Sequence, residues 1–304
     1  MNKIIKTNIT NIGDPVILYD NGIYYMYSTV NDGYSQGFHC FTSKDCLDFT
    51  DSGIVLPLSN TFGVDHFWAP EIYKFEGAYY FIYSARPKDS KILHIQIAKA
   101  SSPLGPFKDI VKTPLINIED KSTIDGHIFF DDDGTKYLYF SMDCSTNVVK
   151  EVHTSQIYGA ILSDDFTHLL TEPVLLFGPE KHWETRDCGF HGFLWNEGPN
   201  MLKHNGKYYL TYSANFYCSK YYCVGCRISD KPLGKYKHMV DHPILEYVEG
   251  EISGPGHNAF FIDKDGSLKV SFHIHHSYEK PSPDRQACFC GAHFENDQLI
   301  IDYK

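Results

Sequence analysis

Apolar residues come in short runs along this chain, and one arrangement of runs recurs five times. In residues 125–141, Asp125 is followed by an apolar run at 128–130, a polar turn built on Gly134, and an aromatic run at 137–140. The pattern predicts two antiparallel strands joined by a tight turn, with the acid at the mouth of the first strand. Counterparts occupy residues 14–28, 69–84, 197–213 and 257–273. They start at 14, 69, 125, 197 and 257, so successive starts lie 55, 56, 72 and 60 residues apart. Self-similarity at such an interval marks a repeat architecture. Each interval exceeds one hairpin and suits four short strands with their turns. The expected fold is all-β: a five-bladed β-propeller with four antiparallel strands per blade.

Within this frame, blade 1 runs to about residue 66, with its third strand near 37–42 and its outer strand near 53–56. The third strands of blades 2 and 3 are expected near 93–99 and 157–162. Two segments exceed the repeat, 143–156 and 178–196. The second contains His182, Trp183, Glu184, Arg186, His191 and Trp195 and accounts for the longest interval. Long aromatic loops on a rigid scaffold often carry binding. Residues 1–12 read as a lead-in. Four candidate strands follow His257, the last two near 287–294 and 298–302, so blade 5 is expected to close with its own C-terminal strands. With no linker, low-complexity tail or amphipathic helix longer than two turns, residues 1–304 are expected to form a single domain.

The first strand of every propeller blade lines the central channel. The residues that open the repeats, Asp14, Ala69, Asp125, Glu197 and His257, are therefore expected to form a ring around the axis. Three carboxylates in that ring suggest acetal chemistry. Hydrolysis of a glycosidic bond needs a proton for the leaving oxygen and a base or nucleophile at the anomeric carbon, and two carboxyl groups in unlike environments supply both. A third carboxylate beside the acid raises its pKa by like-charge repulsion. Spacing alone does not assign the roles.

Composition narrows the partners. Aromatic residues make up 15% of the chain, which suits strands and sugar-stacking surfaces alike. A net charge of -11, from 27 basic and 38 acidic residues, disfavours nucleic acid and anionic membranes and is compatible with a neutral sugar. The N-terminus lacks an apolar signal core and no run approaches membrane-spanning length, so a cytoplasmic protein is expected, or a secreted form whose leader has been trimmed. The nine cysteines are odd in number and several lie in expected strands, which favours reduced thiols. Cys223-Val-Gly-Cys226 has metal-pair spacing without a second pair, and reads as small buried hydrophobes. His273, His275 and His276 read as strand-face histidines rather than zinc ligands. Oligomeric state is left open.

Gly13-Asp14-Pro15, Trp68-Ala69-Pro70-Glu71, Ile124-Asp125-Gly126, Asn196-Glu197-Gly198-Pro199 and Gly254-Pro255-Gly256-His257 occur in this order across nearly the whole chain. In these motifs the chain resembles glycoside hydrolase family 43, five-bladed propeller enzymes acting on arabinose- and xylose-containing glycans. The resemblance implies inversion of configuration, with Asp14 as general base, Glu197 as general acid, and Asp125 raising the pKa of Glu197 and holding it in position. It also implies a substrate-contacting role for Arg285, and a site-supporting metal, commonly calcium, near His257. Trp68, next to Ala69, is a candidate apolar wall for a sugar ring. The leading expectation is an α-L-arabinofuranosidase or β-xylosidase acting on oligosaccharides and releasing single sugars. An endo-acting arabinanase is the alternative within the enzyme class. A non-catalytic sugar-binding propeller is the alternative outside it, and would be expected to lack at least one of the three acids.

Overall fold

The computed structural model describes residues 3–30 and 37–304, so Met1 and Asn2 of the expected lead-in lie outside the described residues. Five antiparallel sheets follow one another along the chain, each a meander in sequence order. The first holds Ile12–Asp20, Ile23–Val30, Phe38–Ser43 and Thr50–Leu56. The second holds Gly63–Phe75, Ala78–Pro87, His94–Ala100 and Lys108–Asp109. The third holds Thr123–Phe130, Lys136–Met142, Gln156–Leu162 and Val174–Phe177. The fourth holds Asn196–His204, Lys207–Ala214, Cys223–Ser229 and Lys237–His238. The fifth is built on Gly256–Ile262, Leu268–His275 and Arg285–Glu295. The first two strands of each sheet are the recurring stretches of the sequence. Their tight turns use residues that tolerate positive φ, such as Asn21 and Asn205, as two-residue hairpins require.

The first strands of the five sheets pack in a closed circle. Ile12–Asp20 meets Gly63–Phe75 on one side and Gly256–Ile262 on the other, and Thr123–Phe130 and Asn196–His204 complete the round. Each seam between sheets has its own apolar layer. Tyr27, Phe38, Phe81 and Tyr83 fill the first, and Ile82, Ile95, Leu138 and Phe140 the second. Tyr139, Leu210 and Tyr212 fill the third, Tyr209, Val224 and Phe272 the fourth, and Ile12, Met26, Phe261 and Phe289 the last. Much of the aromatic content is thus spent on face-to-face sheet packing, where large rings bridge two twisted faces. Cys223 and Cys226 belong to these layers, and burial pushes both thiols up, as expected of packed hydrophobes. No helix among the described residues is long and apolar enough to cross a membrane.

The closure of the fifth sheet differs from the sequence expectation. Arg285–Glu295 is long, and Gln298–Ile301 covers only its far half, from Ala292 to Glu295. The near half is paired instead with Ile5–Thr10 from the other end of the chain, Ile5 opposite Phe289 and Thr10 opposite Gln286. An uncovered edge would leave a row of unpaired N–H and C=O groups, and the N-terminal strand satisfies them. Side chains reinforce the join: the Thr7 hydroxyl donates to Ala287 O at 3.1 Å, and the Gln286 amide donates to Thr7 O at 2.8 Å.

The two long segments are also not independent loops. Val148–Val149, Val152–Thr154 and Phe193–Leu194 form a small three-stranded sheet that joins them, with His153 in parallel register against Phe193.

If the N-terminal strand closes the circle, Thr7→Val should destabilise the protein by about 1–2 kcal/mol, since it leaves the buried Ala287 carbonyl without its donor. Thermal unfolding should show a midpoint lowered by a few degrees. An unchanged midpoint would mean that the Thr7 hydroxyl contributes nothing to closure.

Candidate active site

The site grows from one backbone irregularity made five times. In each first strand the pairing register slips at the equivalent place: between Gly13 and Val16, Trp68 and Glu71, Ile124 and His127, Glu197 and Asn200, and Gly256 and Ala259; Gly63–Phe75 carries two further slips nearer its start. These are β-bulges, which re-aim the residues they contain. At each one the residue after the last paired position turns left-handed: Asp14 at φ 54°, Ala69 at 46°, Asp125 at 57°, Gly198 at 58° and His257 at 51°.

Each of these residues aims its backbone N–H out of its own sheet and into the preceding one. Ala69 donates to the Thr29 hydroxyl at 2.8 Å, Asp125 to Ser84 at 3.0 Å and His257 to Ser213 at 2.7 Å. Asp14 donates to His273 Nδ1 at 3.2 Å. At the remaining seam Gly198 donates to Asp125 Oδ2 at 3.0 Å, and the Ser141 hydroxyl donates to the same oxygen at 3.3 Å.

One sequence equivalence is corrected here. The fourth left-handed position belongs to Gly198, not Glu197. Glu197 stands one residue earlier, opposite Ser213, in the place held elsewhere by Gly13, Trp68, Ile124 and Gly256. Glu197 nevertheless lines the same pocket as Asp14, Asp125 and His257.

Asp14 is surrounded by donors and cations. Its Oδ2 accepts the Thr29 hydroxyl at 2.6 Å and its Oδ1 accepts Arg285 Nη1 at 3.2 Å. His257 Nδ1 and His273 Nδ1 lie 3.4 and 3.5 Å from Oδ1. Burial opposes ionisation, with the side chain only 11% exposed, but His257, Arg285 and the Thr29 hydroxyl outweigh it and hold the carboxyl well below the usual range. Gly13 makes the Arg285 contact possible: a Cβ there would fall 2.0 Å from the guanidinium.

Glu197 lies in the opposite field. Burial and the neighbouring Asp125 push its pKa well above the ordinary value, and Asp143 and Asp14 add to the repulsion. The Tyr222 hydroxyl donates to Glu197 Oε1 at 2.8 Å and pulls the other way. Asp125 itself is pushed up to about 6, by burial first and then by Asp14 and Asp143, against His257 and the Gly198 N–H. With two donors on Oδ2, Asp125 is the member of the pair that ionises first.

The remaining expected residues are all in place around this pocket. Trp68 lies on its wall beside His66, ring centroids 5.0 Å apart. Arg285 reaches it from the third strand of the fifth sheet, over the Tyr217 ring at 4.9 Å. Trp195, Phe216, Tyr217 and Asp143 complete much of the lining. Of the aromatic and charged residues noted in 178–196, Trp195 alone is among the lining residues. Glu71, quoted in the Trp68–Glu71 motif, is absent from the lining and has a structural place. It accepts His127 Nδ1–H at 2.8 Å and the Asn200 amide at 2.9 Å, while His127 Nε2 accepts the Met201 N–H at 3.0 Å. That network joins the second, third and fourth sheets.

Several participants escaped sequence reasoning, among them Thr29, His273, Tyr222 and Asp143. His273 is fully buried, and burial, with Arg285 nearby, drives its pKa well below normal, so the ring is neutral. Its one available signal was position: Ser84, Ser141, Ser213 and His273 all end their repeats.

The metal implied by the resemblance finds little to hold it. Calcium takes six to eight oxygen ligands. Among the described residues no group of three His, Cys, Asp or Glu side chains could hold an ion, and His257 Nδ1 faces Asp14. This donor set does not fit a calcium caged by side chains.

A family model described as "Glycosyl hydrolases family 43" matches residues 8–299. A xylosidase/arabinosidase from Humicola insolens is 30% identical over 79% of this chain and 86% of its own length. A β-D-galactofuranosidase from Aspergillus niger is 26% identical over 95% of this chain and 81% of its own. Among solved structures, a thermostable family-43 glycoside hydrolase superimposes with a TM-score of 0.91 at 38% identity, covering 97% of this chain and 94% of that one. An endo-1,4-β-xylanase from Bacteroides thetaiotaomicron gives 0.83 at 34%, covering 98% and 96%. The match from residue 8 to residue 299 takes in the whole circle of sheets and every carboxylate of the pocket: this chain is a glycoside hydrolase of family 43.

Proposed function

We propose that residues 1–304 form one catalytic domain, a five-bladed propeller, that hydrolyses oligosaccharides with inversion and releases single arabinose or xylose units. The observation that carries this reading is the opposite electrostatic setting of two carboxyl groups in one pocket. Asp14 is held ionised by cations and donors, and Glu197 is kept protonated by burial and neighbouring acids. Asp14 takes a proton from a water as that water attacks the anomeric carbon. Glu197 gives its proton to the departing oxygen as the glycosidic bond breaks. Asp14 ends protonated and Glu197 ionised, and exchange with solvent restores both. Asp125 keeps Glu197 protonated, and its carboxylate orients the backbone beside the acid through the Gly198 N–H.

Trp68 supplies the apolar wall for the sugar ring, and Arg285 both anchors Asp14 and presents guanidinium N–H groups to a sugar hydroxyl. Release of single units is favoured by the small sheet that joins 143–156 to 178–196, because Asp143 and Trp195 at its flanks line the pocket and close it on that side. Relatives named for arabinofuranose, xylose and galactofuranose release agree with a pocket for one terminal sugar.

Inversion is checked by proton NMR of the first-formed sugar before mutarotation; release of the retained anomer would sink the assignment. Digestion of linear arabinan and xylan should yield monosaccharide from the outset, and early oligosaccharides would favour the endo reading.

Glu197→Gln should lower kcat by about 100-fold or more on natural glycosides, while activated aryl glycosides, which need little protonation, retain more of their rate. Asp14→Asn should impair both kinds of substrate alike.

Two neighbours of Glu197 should move the alkaline limb of the pH–rate profile in opposite directions. Activity is lost on that limb as Glu197 loses its proton. Asp125→Asn removes a repelling charge, lowers the Glu197 pKa and shifts the limb to lower pH. Tyr222→Phe removes a donor that favours the ionised form, raises the pKa and shifts the limb to higher pH. Shifts of the same sign in both variants would contradict the assignment of Glu197 as acid.

A further inference from the structure

Beyond the acid, the strand pair that carries Glu197 runs on into aromatic residues. Glu197 pairs with Ser213 and Asn196 with Ala214, and the Asn215 N–H then donates to Trp195 O at 3.3 Å. Trp195 and Phe216 therefore stand just outside the acid on the continuation of its own two strands. Both line the pocket, with ring centroids 5.3 Å apart. Phe190, from the long segment, lies 4.4 Å from Phe216 and edge-on to Trp195 at 6.3 Å, and is 49% exposed. An aromatic surface thus runs without a break from the pocket to solvent.

This surface is held rigidly. Phe193 stacks on Trp195 at 6.0 Å and on His153 at 4.6 Å, which ties the shelf to the small sheet. The segment's base is anchored by Glu184, 0% exposed. It accepts the N–H groups of Glu180 and Lys181, the Tyr212 hydroxyl at 2.6 Å and Arg227 at 3.2 Å. A segment fixed this firmly has no need of a large half-exposed ring at its tip for its own packing. Single exposed apolar residues are ordinary; one that extends a pocket wall made of aromatic rings points to a ligand.

Which part of the substrate it meets follows from the acid's task, so the inference rests on the glycosidase reading. Glu197 delivers its proton to the departing oxygen, and groups flanking Glu197 at the pocket mouth face the departing portion. We infer that Phe190, Phe216 and Trp195 form a leaving-group shelf, on which the uncharged sugar ring next to the cleaved bond stacks by its C–H face. The hydroxyls of that ring point to water. The preferred substrates are then oligosaccharides of at least two rings rather than glycosides of small alcohols.

The test compares substrates with and without a leaving-group ring in the full-length chain. The first kind is β-1,4-xylotriose and α-1,5-arabinotriose; the second is β-D-xylosyl fluoride and α-L-arabinofuranosyl fluoride. Phe190→Ala should lower the ratio of kcat/KM for trisaccharide to kcat/KM for fluoride about fivefold, mainly through KM, and Phe190→Trp should restore it. An unchanged ratio in Phe190→Ala, or an equal fall in Phe190→Trp, would overturn the shelf while leaving the glycosidase reading intact. Wild-type protein inert towards all four substrates would instead overturn the glycosidase reading, and the shelf with it.

Discussion

Everything at the pocket depends on five hydrogen bonds that run from one sheet into the next. Each leaves a left-handed residue at a bulge and ends on a side chain at the end of the neighbouring second strand or, at one seam, on the carboxylate of Asp125. Four of the five donors are not glycine, and a left-handed turn costs an L-residue about 1–2 kcal/mol. A hydrogen bond returns a net of about 0.5–1.5 kcal/mol. The two roughly cancel, so the ring adds little stability; the apolar layers at the seams supply that. What the ring does is fix position. It brings Asp14, Asp125 and His257, each from a different sheet, to one end of the circle, and spends conformational strain where precise placement of a side chain matters most.

Once placed, the carboxyl groups diverge because of what each is buried with. Desolvation is the largest influence on Asp14 and on Glu197 alike, and in both it favours the neutral form. Around Asp14 it is overcome by a guanidinium, the His257 imidazole and a hydroxyl. Around Glu197 it is reinforced by Asp125 and Asp143, and only one hydroxyl opposes it. In the proposed mechanism, position, not residue type, separates base from acid. Asp125 stands between the two, repelled by Asp14 and relieved by the Gly198 N–H, and so transmits the charge of one side of the pocket to the other.

Most of the frame was legible because its signals are local. The apolar runs and turns that mark each first and second strand lie within a few residues of one another, and the three acids open or nearly open their repeats. What escaped was non-local or one residue fine. Nothing in the sequence of 5–10 says that it will pair with 286–289, since that strand is chosen by the edge left uncovered when Gln298–Ile301 falls short. Glu197 reads as the equivalent of Asp14 because both open a motif, yet the left-handed turn selects Gly198, and only backbone geometry separates the two. Tyr222 and Asp143 reach the pocket from loops beside the repeats, and no periodicity announces them.

Of the two seams that break the pattern, one also links the surroundings of Asp14 to those of Glu197. At three seams a small hydroxyl, Thr29, Ser84 or Ser213, accepts the bulge N–H directly. At the seam holding Asp14 the acceptor is the neutral ring of His273. A hydroxyl there would satisfy the same N–H but would offer no face. The imidazole lies 5.5 Å from the Tyr222 ring and 9° from parallel to it. Tyr222 in turn donates to Glu197. One flat stack therefore connects the backbone under Asp14 to the hydroxyl on Glu197. Because His273 is buried and uncharged, it does this without adding a second full cation to the field that already holds Asp14 ionised. Two stacked rings thus lie between the Asp14 backbone and the Glu197 carboxyl group.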